Sequence, residues 1–277
     1  SGRELGSLGP APAPVAALTL DGSGCLAAVL AGPGQVHVWE IVTGDLDRTI
    51  EGAAIDPSGL AVHPSGEWLA VAGRGARGWG LADGALRALP GSGRDVRTLA
   101  FAPDGSALAG GDTGLEVWDL ATGRSRWRSG PIGESISHLA FWPDGTRIAS
   151  GTEGGDVYFW DAASGERRNA SEGLARDPVA ALAVSPDGRW VAAGYPEGSV
   201  TIWDAKTLEL RNTVDLSYPP GEVLGLAFRP DGEELAIATR TGRRAWKRPE
   251  GLPGPMRPPR GPSRYVEVWA VRDLLAR

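Results

Sequence analysis

Short apolar runs, each cut off by a turn signal, set the pattern of this 277-residue chain. LAFAP before Asp104, LAFWP before Asp144, LAVSP before Asp187 and LAFRP before Asp231 each close on proline. Proline cannot donate to a ladder, so each run reads as a strand that ends there. Asp-Gly follows, a turn pair whose glycine takes a backbone conformation that other residues resist. A second apolar run comes next, as ALAGG, RIASG, WVAAG or ELAIA. In a third, VHVW, LEVW, VTIW or VEVW, side chains alternate with a period of two. After the tryptophan, EIVTG, DLATG and DAASG place an acid and then Thr/Ser-Gly, a second turn whose N–H groups the acid can accept. A more polar fourth strand leads out, as in RSRWRS or GERRNAS.

These signals recur in step. Pro-Asp-Gly ends at Gly105, Gly145, Gly188 and Gly232, with VHPSG (ending at Gly66) a variant and LDGSG at 20–24 a more degenerate one. The strand-end tryptophans are Trp39, Trp79, Trp118, Trp160, Trp203 and Trp269, spaced by 40, 39, 42, 43 and 66 residues. Four short strands in every forty residues, with no helical segment, predict an all-β fold: a β-propeller of four-stranded blades forming one domain over 1–277. The repeats are expected at about 14–50, 52–91, 94–130, 134–173, 177–214 and 221–277. Two markers holding phase over six units argue against a sandwich.

The pattern resembles the WD40 repeat over nearly the whole chain. Trp118-Asp119, Trp160-Asp161 and Trp203-Asp204 match that family's dipeptide in full, while Trp39-Glu40, Trp79-Gly80 and Trp269-Ala270 match only at Trp. Many family members carry a Gly-His pair before the first strand, whose His joins a hydrogen-bond network with the Trp. None of His37, His63 and His138 sits in such a pair, so that network is absent or rebuilt, and apolar stacking is expected to carry the blades. The resemblance also implies that residues 1–9, SGRELGSLG, complete the last blade and close the ring, with DLLAR at the C-terminus competing for the same place.

Composition adds constraints. The net charge is −6 with a pI near 5.2, which argues against a protein devoted to nucleic acid. One cysteine, Cys25, excludes an internal disulfide framework and reads as a small apolar residue of the strand CLAAVLA. No apolar run reaches membrane-spanning length, and a cytoplasmic location is expected. Lys206 and Lys247 stand against 26 arginines, a bias that points to a bacterial source. The chain opens at Ser1 and its one methionine is Met256, so the sequence reads as a piece of a larger gene product, a ring of six blades or a cut from one of seven.

Catalytic constellations are missing from the sequence: no metal-ligand spacing of His, no Gly-x-Ser-x-Gly elbow and no phosphate-binding Walker loop. Gly73-Arg74-Gly75-Ala76-Arg77-Gly78 has the Gly-x-Gly-x-x-Gly form but joins two strands, so it reads as a turn. His37 lies in a strand between Val36 and Val38 and reads as a core or interstrand residue rather than a ligand. Asn169-Ala170-Ser171 is a sequon without a secretory context. No cofactor and no metal are expected.

What is left is surface. In propellers of this kind the turns between second and third strands share a rim with the links between repeats, and that rim binds peptides. Its candidates are Asp95, Asp112, Glu134, Glu153, Asp177, Tyr195, Glu197, Tyr218 and Glu222, with Arg74, Arg94, Arg97 and Arg176 as counter-charges. Residues 241–264, TGRRAWKRPEGLPGPMRPPRGPSR, form an insertion of about 23 residues into the last such turn and explain the final spacing of 66. The stretch carries charge +6, leaving −12 elsewhere, and holds six of the 22 prolines. Three readings stand for it: a disordered loop, a segment folded onto its own acidic rim, or a partner contact through Arg243, Arg244, Trp246, Lys247 and Arg248. Pro255-Met256-Arg257-Pro258-Pro259-Arg260 also fits a polyproline ligand, with Arg257 and Arg260 its cations. The expected function is a non-catalytic scaffold for a protein or peptide, monomeric as an isolated domain and one module of a larger signalling protein. Alternatives are an enzyme with a site in the central channel, or nucleic-acid contact through 241–264, which the −12 charge elsewhere opposes.

Overall fold

The computed structural model describes residues 15–20, 26–31, 34–52, 58–87, 89, 95–171, 177–215, 221–241 and 263–275. They form six antiparallel sheets that follow one another along the chain, the blade order of a β-propeller. Blade 1 is β1 (Val15–Leu20), β2 (Leu26–Ala31), β3 (Gln35–Glu40) and β4 (Leu46–Ile50). Blade 2 is β5 (Gly59–Val62), β6 (Trp68–Arg74), β7 (Arg77–Gly80) and β8 (Leu86–Arg87), and the short β9 (Asp95–Val96) pairs with β6. Blade 3 is β10 (Thr98–Phe101), β11 (Ala107–Gly111), β12 (Leu115–Asp119) and β13 (Ser125–Arg128). Blade 4 is β14 (Ile136–Phe141), β15 (Arg147–Thr152), β16 (Val157–Asp161) and β17 (Arg167–Ser171). Blade 5 is β18 (Ala181–Val184), β19 (Trp190–Gly194), β20 (Ser199–Asp204) and β21 (Leu210–Asp215). Blade 6 shows β22 (Gly221–Phe228), β23 (Glu234–Thr241) and β24 (Ser263–Ala270), followed by a short helix α1 (Val271–Leu275).

The repeat found in the sequence is a register. The strand-end tryptophan of each third strand pairs with an apolar residue of the second: Trp39 with Ala27, Trp79 with Leu69, Trp118 with Leu108, Trp160 with Ile148, Trp203 with Val191 and Trp269 with Leu235. The Pro-Asp-Gly turns work as their chemistry requires. Asp104, Asp144, Asp187 and Asp231 each accept the N–H two residues on, at 2.9 to 3.0 Å. Gly105, Gly145, Gly188 and Gly232 sit at φ between +69° and +75°.

A seam joins successive blades, and it repeats. The glycine that ends or follows the apolar part of the second strand lies against a β-branched side chain opening the next blade. A Cβ on Gly111 would come within 2.9 Å of Ile136, one on Gly151 within 2.5 Å of Val179, and one on Gly194 within 2.4 Å of Val223. The residue after each glycine then accepts the N–H of that same aliphatic residue: Ile136 to Asp112 at 2.6 Å, Val179 to Thr152 at 2.9 Å, Val223 to Tyr195 at 3.3 Å. Each seam thus closes one apolar contact and one backbone hydrogen bond together.

The chain divides into two compact units, one of Ser1–Leu139 with Ala163–Gly165, the other of Ala140–Ala162 with Glu166–Arg277. In the first, blade 1 stacks on blade 2 through Ala28, Leu30, Val36 and Val38 against Leu69 and Val71. Blade 2 stacks on blade 3 through Ala70, Ala72 and Ala76 against Leu99, Phe101, Leu108 and Trp118. In the second, Trp142, Phe159 and Trp203 form a chain of edge-on rings 5.9 and 6.0 Å apart, inside a cluster with Val179, Val191 and Tyr195. Buried polar contact is not lost everywhere: Trp160 Nε1 donates to Ser150 Oγ at 2.8 Å.

Two boundaries differ from the sequence reading. Val271–Leu275, which takes in the first three residues of the DLLAR segment expected to compete for a fourth strand in blade 6, is helical. Val271 and Leu274, three apart, are both buried on one side of that turn, and Leu274 C=O accepts from Asn212 of β21 at 2.7 Å. The insertion is also narrower than 241–264. Thr241 pairs with Ser263 and Arg240 with Arg264, so the strands run on and the insertion proper is 242–262, outside the described residues. Residues 1–9 and Cys25 lie outside them too.

Candidate functional site

The turns between second and third strands place several of the expected rim residues. Arg74 ends β6, Asp112 follows β11, Glu153 follows β15 and Glu197 follows β19. The links place Asp95 in β9 and Glu222 in β22. The two sets meet in blade 3, where Arg97 Nε lies 3.1 Å from Asp112. Glu222 is paired with Arg240 at 3.1 Å, and Glu197 accepts from Ser199 Oγ at 2.7 Å. Glu134 and Asp177 are exposed.

Tyr195 is a correction. Its side chain is 0% exposed, packed among Val157, Val179 and Trp203, with its hydroxyl 3.4 Å from Gly155 C=O and near Thr201 Oγ1. Burial raises its phenol pKa. The apolar strand does not stop at Gly194: residues 191 to 195 are all buried, so this ring belongs to the core and offers no open contact to a partner. Tyr218, Arg94, Arg176, Arg243, Arg244, Trp246, Lys247, Arg248, Arg257 and Arg260 lie outside the described residues.

One cleft, of about 300 Å³, opens in blade 3. Asp95, Asp112 and Glu116 supply its carboxylates, Trp118 and Val96 its apolar wall, and Gly110, Gly111 and Gly114 a strip of open backbone. Glu116 points from β12 with only 16% of its side chain exposed, and its nearest cation, Arg128 Nε, stands 3.7 Å away. A Cβ on Gly110 would sit 2.6 Å from the Trp118 ring, so the indole occupies the place of the missing side chain.

On the opposite strand ends, a carboxylate and an arginine bracket the second turn. Asp119 pairs with Arg126 at 2.8 Å, Asp161 with Arg168 at 3.1 Å and Asp204 with Arg211 at 2.8 Å, always seven residues apart. The Arg126 guanidinium, then the Thr122 N–H, lowers the Asp119 carboxyl to about 2. Arg211, then the Thr207 N–H, does the same for Asp204, also to about 2. The sequence reading found the acid and its turn N–H partners but missed the arginine, whose spacing of seven was there to be seen. Among the described residues the turn glycine is replaced once: Leu208 sits at φ +62° where Gly44, Gly84, Gly123 and Gly165 sit between +64° and +76°.

The histidines are structural. His63 stacks on Trp68 at 5.0 Å and reaches Gly105 C=O at 3.1 Å, tying the turn of blade 2 to that of blade 3. His37 is buried, with Nδ1 2.9 Å from Thr49 Oγ1 and Nε2 without a partner among the described residues. His138 contacts Ser137 at 3.2 Å. The Gly-x-Gly-x-x-Gly segment is the hairpin between β6 and β7, with Gly75 at φ +79°. Among the described residues no three His, Cys, Asp or Glu side chains are placed to hold a metal ion. No helix among them is long and apolar enough to cross a membrane.

Repeated registers, Pro-Asp-Gly turns and paired Trp-Asp ends decide the comparison. Three segments of the chain match the WD40 repeat. The family model, described as the WD domain, G-beta repeat, matches residues 84–119, 128–161 and 174–204. Each of these WD40 segments ends on a full Trp-Asp pair, Asp119, Asp161 or Asp204, the acids that form the arginine bracket. Trp39, Trp79 and Trp269, which lack the aspartate, lie outside the matched residues. The search of curated proteins finds no match.

Proposed function

We propose that the whole chain is a non-catalytic WD40-type scaffold that holds a protein or peptide through the rim formed by its second-to-third-strand turns and its inter-blade links. The observation that carries this reading is the contrast between frame and rim. Seams, turns and brackets spend their polar groups on holding the blades, whereas the rim keeps charged, exposed side chains such as Asp95, Glu134 and Asp177. A rigid frame that presents variable loops is the usual way such a fold binds. The WD40 match supports the same reading, since propellers of that family are in general interaction scaffolds. The proposal includes a cytoplasmic setting in a bacterium and a place as one module of a larger signalling protein, for which the arginine bias and the family resemblance are the support.

The basic segment 242–262 is part of the proposal as a second contact. It carries Arg243, Arg244, Lys247, Arg248, Arg257 and Arg260 against Glu250. A pull-down from cell extract with the intact chain, and with 242–262 replaced by Asn-Gly, tests both ideas. Specific protein partners retained by both chains place binding on the blades, and partners lost with the segment place it there. Recovery of nucleic acid alone, with an affinity falling steeply with salt, overturns the scaffold reading in favour of phosphate-backbone binding.

A further inference from the structure

Five of the six blades carry a side chain at one strand position where blade 3 has none. In the register set by the tryptophans, the residue two beyond the tryptophan's partner in the second strand is Val29, Val71, Gly110, Ser150, Ala193 and Ile237 in blades 1 to 6. The facing residue of the third strand is His37, Arg77, Glu116, Tyr158, Thr201 and Glu267. In blade 4 this position gives the tryptophan its partner, since Trp160 Nε1 donates to Ser150 Oγ. In blade 3 Gly110 offers no acceptor, and the Trp118 ring has moved over its Cα. Trp118 is 3% exposed, and its indole N–H has no hydrogen-bond partner among the described residues. The same ring lines the cleft of about 300 Å³ whose carboxylate Glu116 is mostly buried and lies 3.7 Å from Arg128 Nε, its nearest cation among the described residues and beyond hydrogen-bond reach.

Two polar groups therefore line one opening without a close partner among the described residues, an indole N–H and a carboxylate, and neither is sealed from solvent. Asp95 at the mouth makes no ion pair among the described residues, while Asp112 is held by Arg97. The residues lining the cleft carry three carboxylates, Asp95, Asp112 and Glu116, against one cation, Arg128, while Arg97 pairs with Asp112 and Arg74 faces Asp95 in the β6–β9 register. Glycines at 110, 111 and 114 let a backbone approach closely. The volume stands at the lower end of the roughly 300–1,000 Å³ of small-molecule sites, which suits a single long side chain better than a cofactor.

We infer that this blade 3 cleft is a subsite for an arginine side chain presented by an extended segment of a partner protein, with Glu116 and Asp95 receiving the guanidinium and the Trp118 indole N–H donating to a partner carbonyl. This rests on the scaffold reading above and names the chemistry of one contact within it. A guanidinium is favoured over an ammonium because its planar fork serves two separated carboxylates at once. Partial burial of Glu116 keeps that attraction from being fully screened.

The test uses the intact chain, labelled with ¹⁵N, and two fluorescein-tagged peptides, acetyl-Ala-Ala-Arg-Ala-Ala-amide and its counterpart with Gln in place of Arg. The arginine peptide is expected to bind at least tenfold more tightly by anisotropy and to shift the Trp118 indole resonance, assigned from Trp118→Phe. Glu116→Gln is expected to weaken it at least tenfold and Asp95→Asn, which changes an exposed side chain with no ion pair among the described residues, severalfold. Equal binding of the two peptides, no movement of the Trp118 signal, or full affinity in both variants overturns the inference. If Glu116→Gln still captures the wild-type partners in the pull-down while failing these criteria, the cleft assignment falls and the scaffold stands.

Discussion

At the scale of single residues, the seam glycines carry more of the stability than their size suggests. Gly151 and Gly194 are not turn residues, and neither has a positive φ. They are glycine because Val179 and Val223 stand where a Cβ would be, at 2.5 and 2.4 Å. Neither contacting atom is the far end of a flexible chain; each belongs to a branched side chain with few rotamers to escape into. Gly151→Ala is therefore expected to cost about 1–3 kcal/mol, the range for overpacking a close core. Adding Val179→Ala to it recovers part of that loss. Gly130 has nothing within 4 Å of its Cβ position and no positive φ, so Gly130→Ala is expected to be neutral or slightly stabilising. Urea unfolding of the three variants checks this, and a Gly151→Ala midpoint equal to that of Gly130→Ala removes the seam argument. Leu208 shows the opposite compromise. It accepts a left-handed backbone at φ +62°, and its burial beside Trp203 and Tyr195 offsets that strain.

At the scale of elements, the turns were legible in the sequence and the brackets were not. An Asp-Gly pair announces its turn because the carboxylate bonds an N–H two residues on, a contact decided within four residues. The Asp119–Arg126, Asp161–Arg168 and Asp204–Arg211 pairs exist only after the turn has folded the fourth strand back beside the third, so a reading confined to local chemistry passes over them. Tyr195 failed for a related reason. Its place after WVAAG suggested a loop, but burial continues one residue beyond the glycine because the ring fills the core against Val179. The cleft was half legible: Asp95 and Asp112 were singled out for the rim, while Trp118 was read only as a repeat marker and Glu116 was passed over as an ordinary strand residue. The brackets have a consequence with acid. The Asp119 and Asp204 carboxyls are held at about 2, below the value near ~3.9 of an unfolded chain. The folded state binds fewer protons between those values, so the stability they confer is complete above about pH 4 and is lost as the pH falls through about 2. Thermal midpoints measured from pH 5 to pH 2 should fall in the wild type. Asp119→Asn with Asp204→Asn should start lower and fall less. Both carboxylates are solvent-accessible, so added salt should narrow the gap between the two curves. Parallel curves for wild type and double variant exclude the brackets as a source of acid sensitivity.

At the scale of the whole molecule, the frame and the basic insertion are separable. β23 and β24 pair without interruption from Glu234 with Ala270 to Thr241 with Ser263. The hairpin is thus complete up to the residues that flank 242–262, and none of its described ladder depends on what the insertion does. Replacing 242–262 with Asn-Gly supplies a two-residue turn of the kind that suits the twist of such a hairpin. Shorter loops cost less to close, by only about 0.6 kcal/mol for each halving of length, so the gain is small. The replacement also removes five net positive charges from a chain of −6, leaving −11. Greater self-repulsion opposes the gain, though it acts over distances that salt screens. The two effects set the expectation: a thermal midpoint within a few degrees of the intact chain at 0.15 M salt, somewhat lower at low salt, with an unchanged β-type far-ultraviolet spectrum. Loss of cooperative unfolding in the shortened chain shows instead that the insertion holds the blades together, and then its loss of partners in a pull-down no longer identifies a contact. The same pair of measurements therefore decides whether the insertion is read as an attachment to the frame or as part of it.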